Sequence, residues 1–128
     1  MSPEVYKLRR QVIDLVHEAK ALLNGNMPRV EVRIVDLAPG QTCTLGYAGM
    51  GENVLWIPES TLGQSDDLIR HTVFHELLHA IWAVPHIEDS PLMRARLEKT
   101  GPISKSVASK WFVKHVQEVE AGLYGKKP

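Results

Sequence analysis

The chain has very little cysteine: Cys43 is the only one in 128 residues. A lone thiol excludes an internal disulfide and any cysteine-based structural zinc cluster, which is compatible with a reducing compartment, and Cys43 reads as a small half-buried residue. Long apolar runs are missing too. No stretch approaches the roughly 20 uninterrupted apolar residues of a membrane span, and Met1 to Arg10 lacks the apolar core of a secretory signal. A soluble, cytoplasmic chain with no membrane partner is therefore expected. Internal repeats and low-complexity tracts are absent as well. With 44% hydrophobic residues, a chain of this length can close one core, so residues 1–128 are read as a single domain.

Net charge is also lacking, since 15 basic residues balance 15 acidic ones, but the two signs are segregated. Residues 31–90 carry nine acids against two bases, whereas 94–128 carry eight bases against three acids. A nucleic-acid binder needs cations around its working surface, and the segment richest in histidine is the acidic one. No nucleic-acid partner is expected.

What is present has clear periodicity. In "SPEVYKLRRQVIDLVHEAKALLNGN", Ser2 is a helix cap and Pro3 suits the first turn. Val5, Leu8, Val12, Leu15, Val16, Ala19, Leu22 and Leu23 recur at helical spacing up to Gly25. His17 falls off that stripe and reads as a surface histidine. "RVEVRIVDL" alternates in the two-residue period of a strand, with Pro39-Gly40 as the turn after it. "TLGYAG" and "NVLWIPES" give two further short strands around a Gly49–Gly51 turn. A long helix capped by Ser65 or Asp67 runs to about Ala83, and Pro91 and Pro102 break the chain beyond it. A last helix starts at Ser104, with Val107, Trp111, Val116, Val119 and Leu123 as its expected buried stripe. The order is helix, three strands, helix, irregular segment, helix, which is an α+β domain.

Chemistry concentrates in "TVFHELLHAIWAVPH", Thr72 to His86. Val73, Leu77, Ala80 and Val84 form one apolar line and Phe74, Leu78 and Ile81 another, so the helix is buried on most sides while His75 and His79 share a third line. Buried imidazoles need partners. At i and i+4 the two rings project side by side and can meet one zinc ion at about 2.0–2.1 Å. Glu76 then faces the water that zinc activates and is suited to take its proton and deliver it to a leaving amine. His71 continues the line one turn earlier, but three histidines spread over two turns cannot converge on one ion. It reads as a cleft-rim or outer hydrogen-bonding residue. A catalytic zinc takes three protein ligands. His86 is the nearest third candidate, because Pro85 forces a turn that can fold it back. Glu118 and Glu120 on the last helix are rivals, and His115 is a weaker one that reads as packed or solvated.

These residues resemble the metzincin metallopeptidases, and among them the matrixins, whose pattern is His-Glu-x-x-His-x-x-Gly-x-x-His followed by a turn containing methionine. "HELLHAIWAVPHIEDSPLM" puts Met93 seven residues after His86, where that turn is expected. "LGYAGMGENVLWIPES" is similar to the paired strands before the matrixin active-site helix, and the final "LYG", Leu123 to Gly125, to the end of the matrixin C-terminal helix. The chain departs from the pattern in two places. Trp82 or Ala83 stands where the family has its helix-breaking glycine, and His86 lies one residue further along. The resemblance implies a compact zincin-like domain, with a short mixed sheet on an active-site helix between N-terminal and C-terminal helices. It implies one catalytic zinc on His75, His79 and His86, Glu76 as general base, and Met93 beneath the metal. It also implies a peptide or protein substrate extended along the edge strand at Tyr47 and Ala48. Alternatives are a gluzincin-like peptidase using Glu118 or Glu120, a zinc hydrolase acting on RNA, whose known examples lack the motif glutamate, and a metal-free binding module.

Overall fold

A computed structural model describes residues 2–36, 46–95 and 103–128. The turn at Pro39-Gly40, Cys43, the start of "TLGYAG" and Pro102 lie outside them. Helix α1 spans Pro3–Leu22, strand β1 Glu31–Val35, strand β2 Val54–Pro58, helix α2 Asp66–Trp82 and helix α3 Lys105–Glu120, with a 3-10 turn at Glu59–Thr61. The domain is α+β. Each helix begins on a serine whose hydroxyl accepts an otherwise orphan backbone N–H: Ser2 from Val5, Ser65 from Leu68 and Ser104 from Val107, at 3.2, 3.2 and 3.3 Å. Ser65, not Asp67, is thus the cap of α2. No helix of the described residues is long and apolar enough to cross a membrane.

The sheet carries pairings of both senses. β1 and β2 run parallel, with Val32 opposite Leu55 and Arg33 opposite Trp56. Instead of a third regular strand, the described part of "TLGYAG" makes one antiparallel bridge, Tyr47 to Trp56, with both N–H···O bonds at 2.9 Å. Both backbone groups of Trp56 point the same way along the ladder, so Tyr47 lies on the side of β2 away from β1. Alternation then sorts the side chains. Val32, Leu55 and Ile57 are buried, whereas the other face carries Tyr47 stacked on Trp56 at 5.7 Å and Arg33 over the same indole at 4.7 Å.

α2 is the centre of the core, flanked by α1, α3 and β2. From Thr72 to Trp82 every residue of α2 is buried, because neighbours cover all its sides and not a single stripe. Val5, Leu8, Val12, Leu15 and Ala19 of α1 are buried as their spacing predicts. The stripe of α3 differs from expectation. Its buried residues are Ala108, Phe112, His115, Val116 and Val119, while Val107 and Leu123 are exposed and Trp111 is half-buried. Phe112 sets that rotation, packing its ring 5.0 Å from Phe74 and 5.8 Å from Trp82 of α2. With that ring filling the interhelical space, the buried line keeps Val116 and Val119 of the expected stripe and replaces Val107 and Trp111 by Ala108 and Phe112.

Polar ties join the same elements. Arg9 of α1 donates to the carbonyl of Val32 at 2.9 Å. Glu18 of α1 accepts from Arg70 of α2 at 2.7 Å and lies 3.3 Å from Lys105 of α3, so one carboxylate links three helices. Partial burial opposes its ionisation, but the bonds and charges of Arg70 and Lys105 outweigh this and hold its pKa below the ordinary 4.5. A lowered folded pKa means that stability from this triad is complete above the ordinary carboxylate range and is lost as pH falls through the folded value. Glu18→Gln is accordingly expected to reduce the unfolding free energy by about 1 kcal/mol at pH 7. In urea titrations at a series of pH values, that deficit should shrink to nothing in acid below the lowered pKa. A deficit unchanged in acid would mean the triad contributes no ionic stability.

Candidate metal centre

α2 ends at Trp82, one turn after His79. Ala83, directly after Trp82, adopts a left-handed conformation with φ 51° and ψ 36°, which normally favours glycine. Val84 N–H then returns to the Leu78 carbonyl at 3.0 Å, and Pro85 cannot resume a helix. The chain reverses there and carries His86 back toward His79. The helix break is made by an alanine in the glycine-like region.

His75, His79 and His86 come together. One ligand-capable atom from each lies within 4.8 Å of the other two, and the ring centroids of His86 sit 5.3 Å from His75 and 4.8 Å from His79. His75 and His79 are buried and His86 is exposed, so the group closes from the core side and opens toward solvent. These three residues could hold a metal ion. Glu118 and Glu120, the alternative ligands, do not join them. Glu118 accepts a 2.6 Å hydrogen bond from the Tyr124 hydroxyl and Glu120 is exposed.

Hydrogen bonding fixes the state of the two buried rings. His75 Nδ1 lies 2.7 Å from the Leu92 carbonyl and His79 Nδ1 lies 2.6 Å from the Val84 carbonyl. A carbonyl only accepts, so each Nδ1 carries the proton and donates it. Burial, the largest cause, lowers the pKa of both rings, that of His75 to about 3, with the neighbouring histidines adding to the effect. Both are neutral imidazoles at pH 7. Their Nε2 atoms, only 3.1 Å apart, therefore present two lone pairs to each other with no proton between them. Facing lone pairs in a buried site fit a shared cation, and outer carbonyls on the second nitrogen are the usual way a protein orients histidine ligands.

Glu76 is also buried, with Oε1 3.8 Å from His75 Nε2 and Oε2 without a hydrogen-bond partner. Burial pushes its carboxyl up to about 8, so by itself it holds a proton at pH 7, and a nearby cation favours its ionised form. Tyr47 is bridged to Trp56, and Ala48 is half-buried against the core. Gly46 approaches so closely that an added Cβ would meet Ile57 Cδ1 and Thr72 Cγ2 at 3.0 Å. Thr72 precedes Glu76 by one turn on the same helix face. Further along, Gly51 and Asn53 N–H donate to the His79 and Ala80 carbonyls at 3.0 Å. The segment 46–53 thus runs beside α2 from Thr72 to Ala80. Met93 is fully buried in the turn 91–93, whose Leu92 carbonyl holds His75.

His71 departs from its expected place at a cleft rim. It is completely buried with neither ring nitrogen hydrogen-bonded, and burial lowers its pKa more than the nearby Leu92 and Pro91 carbonyls raise it. His17 is exposed, as read from its position off the stripe. Sequence reasoning missed the two carbonyl acceptors, since a backbone oxygen has no residue-type signal, and the contacts of His115, which is buried with both ring nitrogens engaged.

No family model matches the chain, and neither a curated protein nor a solved structure does so. The geometry predicts one divalent metal ion per chain, none in a His75→Ala, His79→Ala double variant, and near-native affinity in Glu118→Ala and Glu120→Ala. His86→Ala should weaken binding by more than the roughly 10–100-fold that follows loss of an outer hydrogen-bond partner. Calorimetric titration and metal analysis check this, and equal metal in the native chain and the double variant would remove the site.

Proposed function

We propose that this chain is a zinc-dependent peptidase of the zincin type, resembling the metzincins, with His75, His79 and His86 as the zinc ligands. The observation that carries the reading is the pair of neutral Nε2 atoms facing each other at 3.1 Å beside a buried carboxyl. Zinc–nitrogen bonds of about 2.0–2.1 Å in a tetrahedral site separate two ligand nitrogens by roughly 3.3 Å, close to that spacing. Three histidine nitrogens and a solvent-facing side match the three-ligand, open-position pattern of catalytic zinc. Bound there, zinc supplies Lewis-acid polarisation of a carbonyl and acidifies water.

The remaining chemistry belongs to the chain. Glu76 takes the proton of the attacking water and delivers it to the leaving amine. Its apolar surroundings suit this role, because they make the protonated form accessible once the proton has been taken. Peptide substrate lies extended against Tyr47 and Ala48. Tyr47 uses its backbone groups on Trp56, so those of Gly46 and Ala48 point to the outer edge, where an extended chain can pair with them. The approach of Gly46 to Thr72 puts that edge on the Glu76 face of α2.

Glu76→Gln keeps the shape of the side chain but cannot accept a proton. It is expected to bind zinc with native stoichiometry and to lose hydrolysis of a peptide library by about 100-fold or more, the scale of general base catalysis. Mass-spectrometric detection of cleaved peptides reads the loss. Full activity in the variant would remove Glu76 as base, and RNA processing without peptide cleavage by the native chain would replace the peptidase reading.

A further inference from the structure

Two neighbouring segments supply the carbonyls that fix the ligand rings: Val84, just past the end of α2, and Leu92, in the turn 91–93. Neither belongs to a regular element, so something else must hold each in place. Both lead to the same stretch of chain, the residues after α3.

The tie to Val84 is direct. Lys126 N–H donates to the Trp82 carbonyl at 2.6 Å, at the last residue of α2. Gly125, with φ of 72°, lies flush on that carbonyl, and a Cβ there would meet its oxygen at 2.5 Å and Val119 at 2.9 Å. This contact braces the helix end from which Ala83 and Val84 turn back. The tie to Leu92 is a hydrogen-bond chain whose direction is determined throughout. The Tyr124 hydroxyl donates to Glu118 Oε1 at 2.6 Å, because a carboxylate only accepts. It therefore accepts from His115 Nδ1–H at 2.7 Å. His115 is buried and burial lowers its pKa, so its Nε2 is unprotonated and accepts from the Ser90 hydroxyl at 2.7 Å. Ser90 Oγ in turn accepts the Met93 N–H at 3.0 Å, and Ile87 N–H donates to the Met93 carbonyl at 2.8 Å. The Leu92 carbonyl sits inside that closed loop. Ser90 is fully buried, so it cannot act as a nucleophile despite its contact with a histidine.

We propose that residues 122–126 are a clamp on the metal centre, positioning His79 through Trp82 and Val84, and His75 through Tyr124, His115, Ser90 and Leu92. The proposal rests on the metal-centre reading above. His115, Ser90 and Tyr124 are positioning residues in it, since none touches the three histidines.

The two arms are separately testable in the metal-free protein, where slowly exchanging Nδ1 protons of His75 and His79 are resolvable by nitrogen-edited NMR. Gly125→Ala lifts the clamp from α2, and it should speed exchange at His79 by about 10-fold while leaving His75 near native. Ser90→Ala should do the reverse. Each should weaken zinc binding about 10-fold, the low end of the range for removing a ligand's own partner. If either fails to fold, Lys126→Pro, which removes the single N–H donor, and Tyr124→Phe, which removes only a hydroxyl, take their places. Native exchange and affinity in both arms would overturn the clamp, as would equal changes at both histidines in both variants, which a general loss of stability produces. Should the native chain bind no zinc, the metal reading fails, but the exchange pattern still decides for or against the clamp.

Discussion

Everything distinctive in this structure depends on two hydrogen bonds, from His75 Nδ1 to the Leu92 carbonyl and from His79 Nδ1 to the Val84 carbonyl. They place a proton on the outer nitrogen of each ring and leave the inner nitrogens as bare acceptors 3.1 Å apart. Two buried acceptors facing each other repel, and an unmet buried acceptor costs roughly 1–3 kcal/mol. A cation bound between them would relieve that repulsion and so couple metal binding to folding, as in sites whose ligands must be neutral and converged before the ion enters.

The fold serves that arrangement. α2 is buried on every side over its second half, which deprives His75, His79 and Glu76 of solvent and keeps the imidazoles neutral and the carboxyl protonated in the absence of charge. One helix thus presents two histidines and a buried carboxyl, while a left-handed alanine supplies the reversal that returns His86. Left-handed alanine costs about 1–2 kcal/mol relative to the right-handed form. The contacts around it, Val84 to Leu78 on one side and Lys126 to Trp82 on the other, hold the strained residue in place.

Much of this was legible in the sequence, and the limits have physical causes. Serine caps and 3.6-residue periodicity located α1, α2 and α3, because capping and burial are local properties of the chain. The pairing of His75 with His79 and the return of His86 followed from i, i+4 spacing and from Pro85. Val116 and Val119 of the expected α3 stripe are buried, but Val107 and Trp111 were each one position off, since apolar spacing alone does not register that the single ring of Phe112 packs against Phe74 and Trp82. The expected third strand is reduced, in its described part, to one bridge at Tyr47. Least legible was the surrounding hydrogen-bond shell. Ser90, His115 and Tyr124 are separated by up to 34 positions in the chain, and two of the decisive acceptors are carbonyls that every residue possesses.

The most direct test of the central claim is X-ray absorption spectroscopy at the zinc edge on the native chain loaded with one equivalent of metal. Imidazole scattering from three histidines is expected, with zinc–nitrogen distances of about 2.0–2.1 Å and one further light-atom ligand. A zinc–sulfur distance of about 2.3 Å, signifying Cys43, or a shell with fewer than two imidazoles, would contradict it.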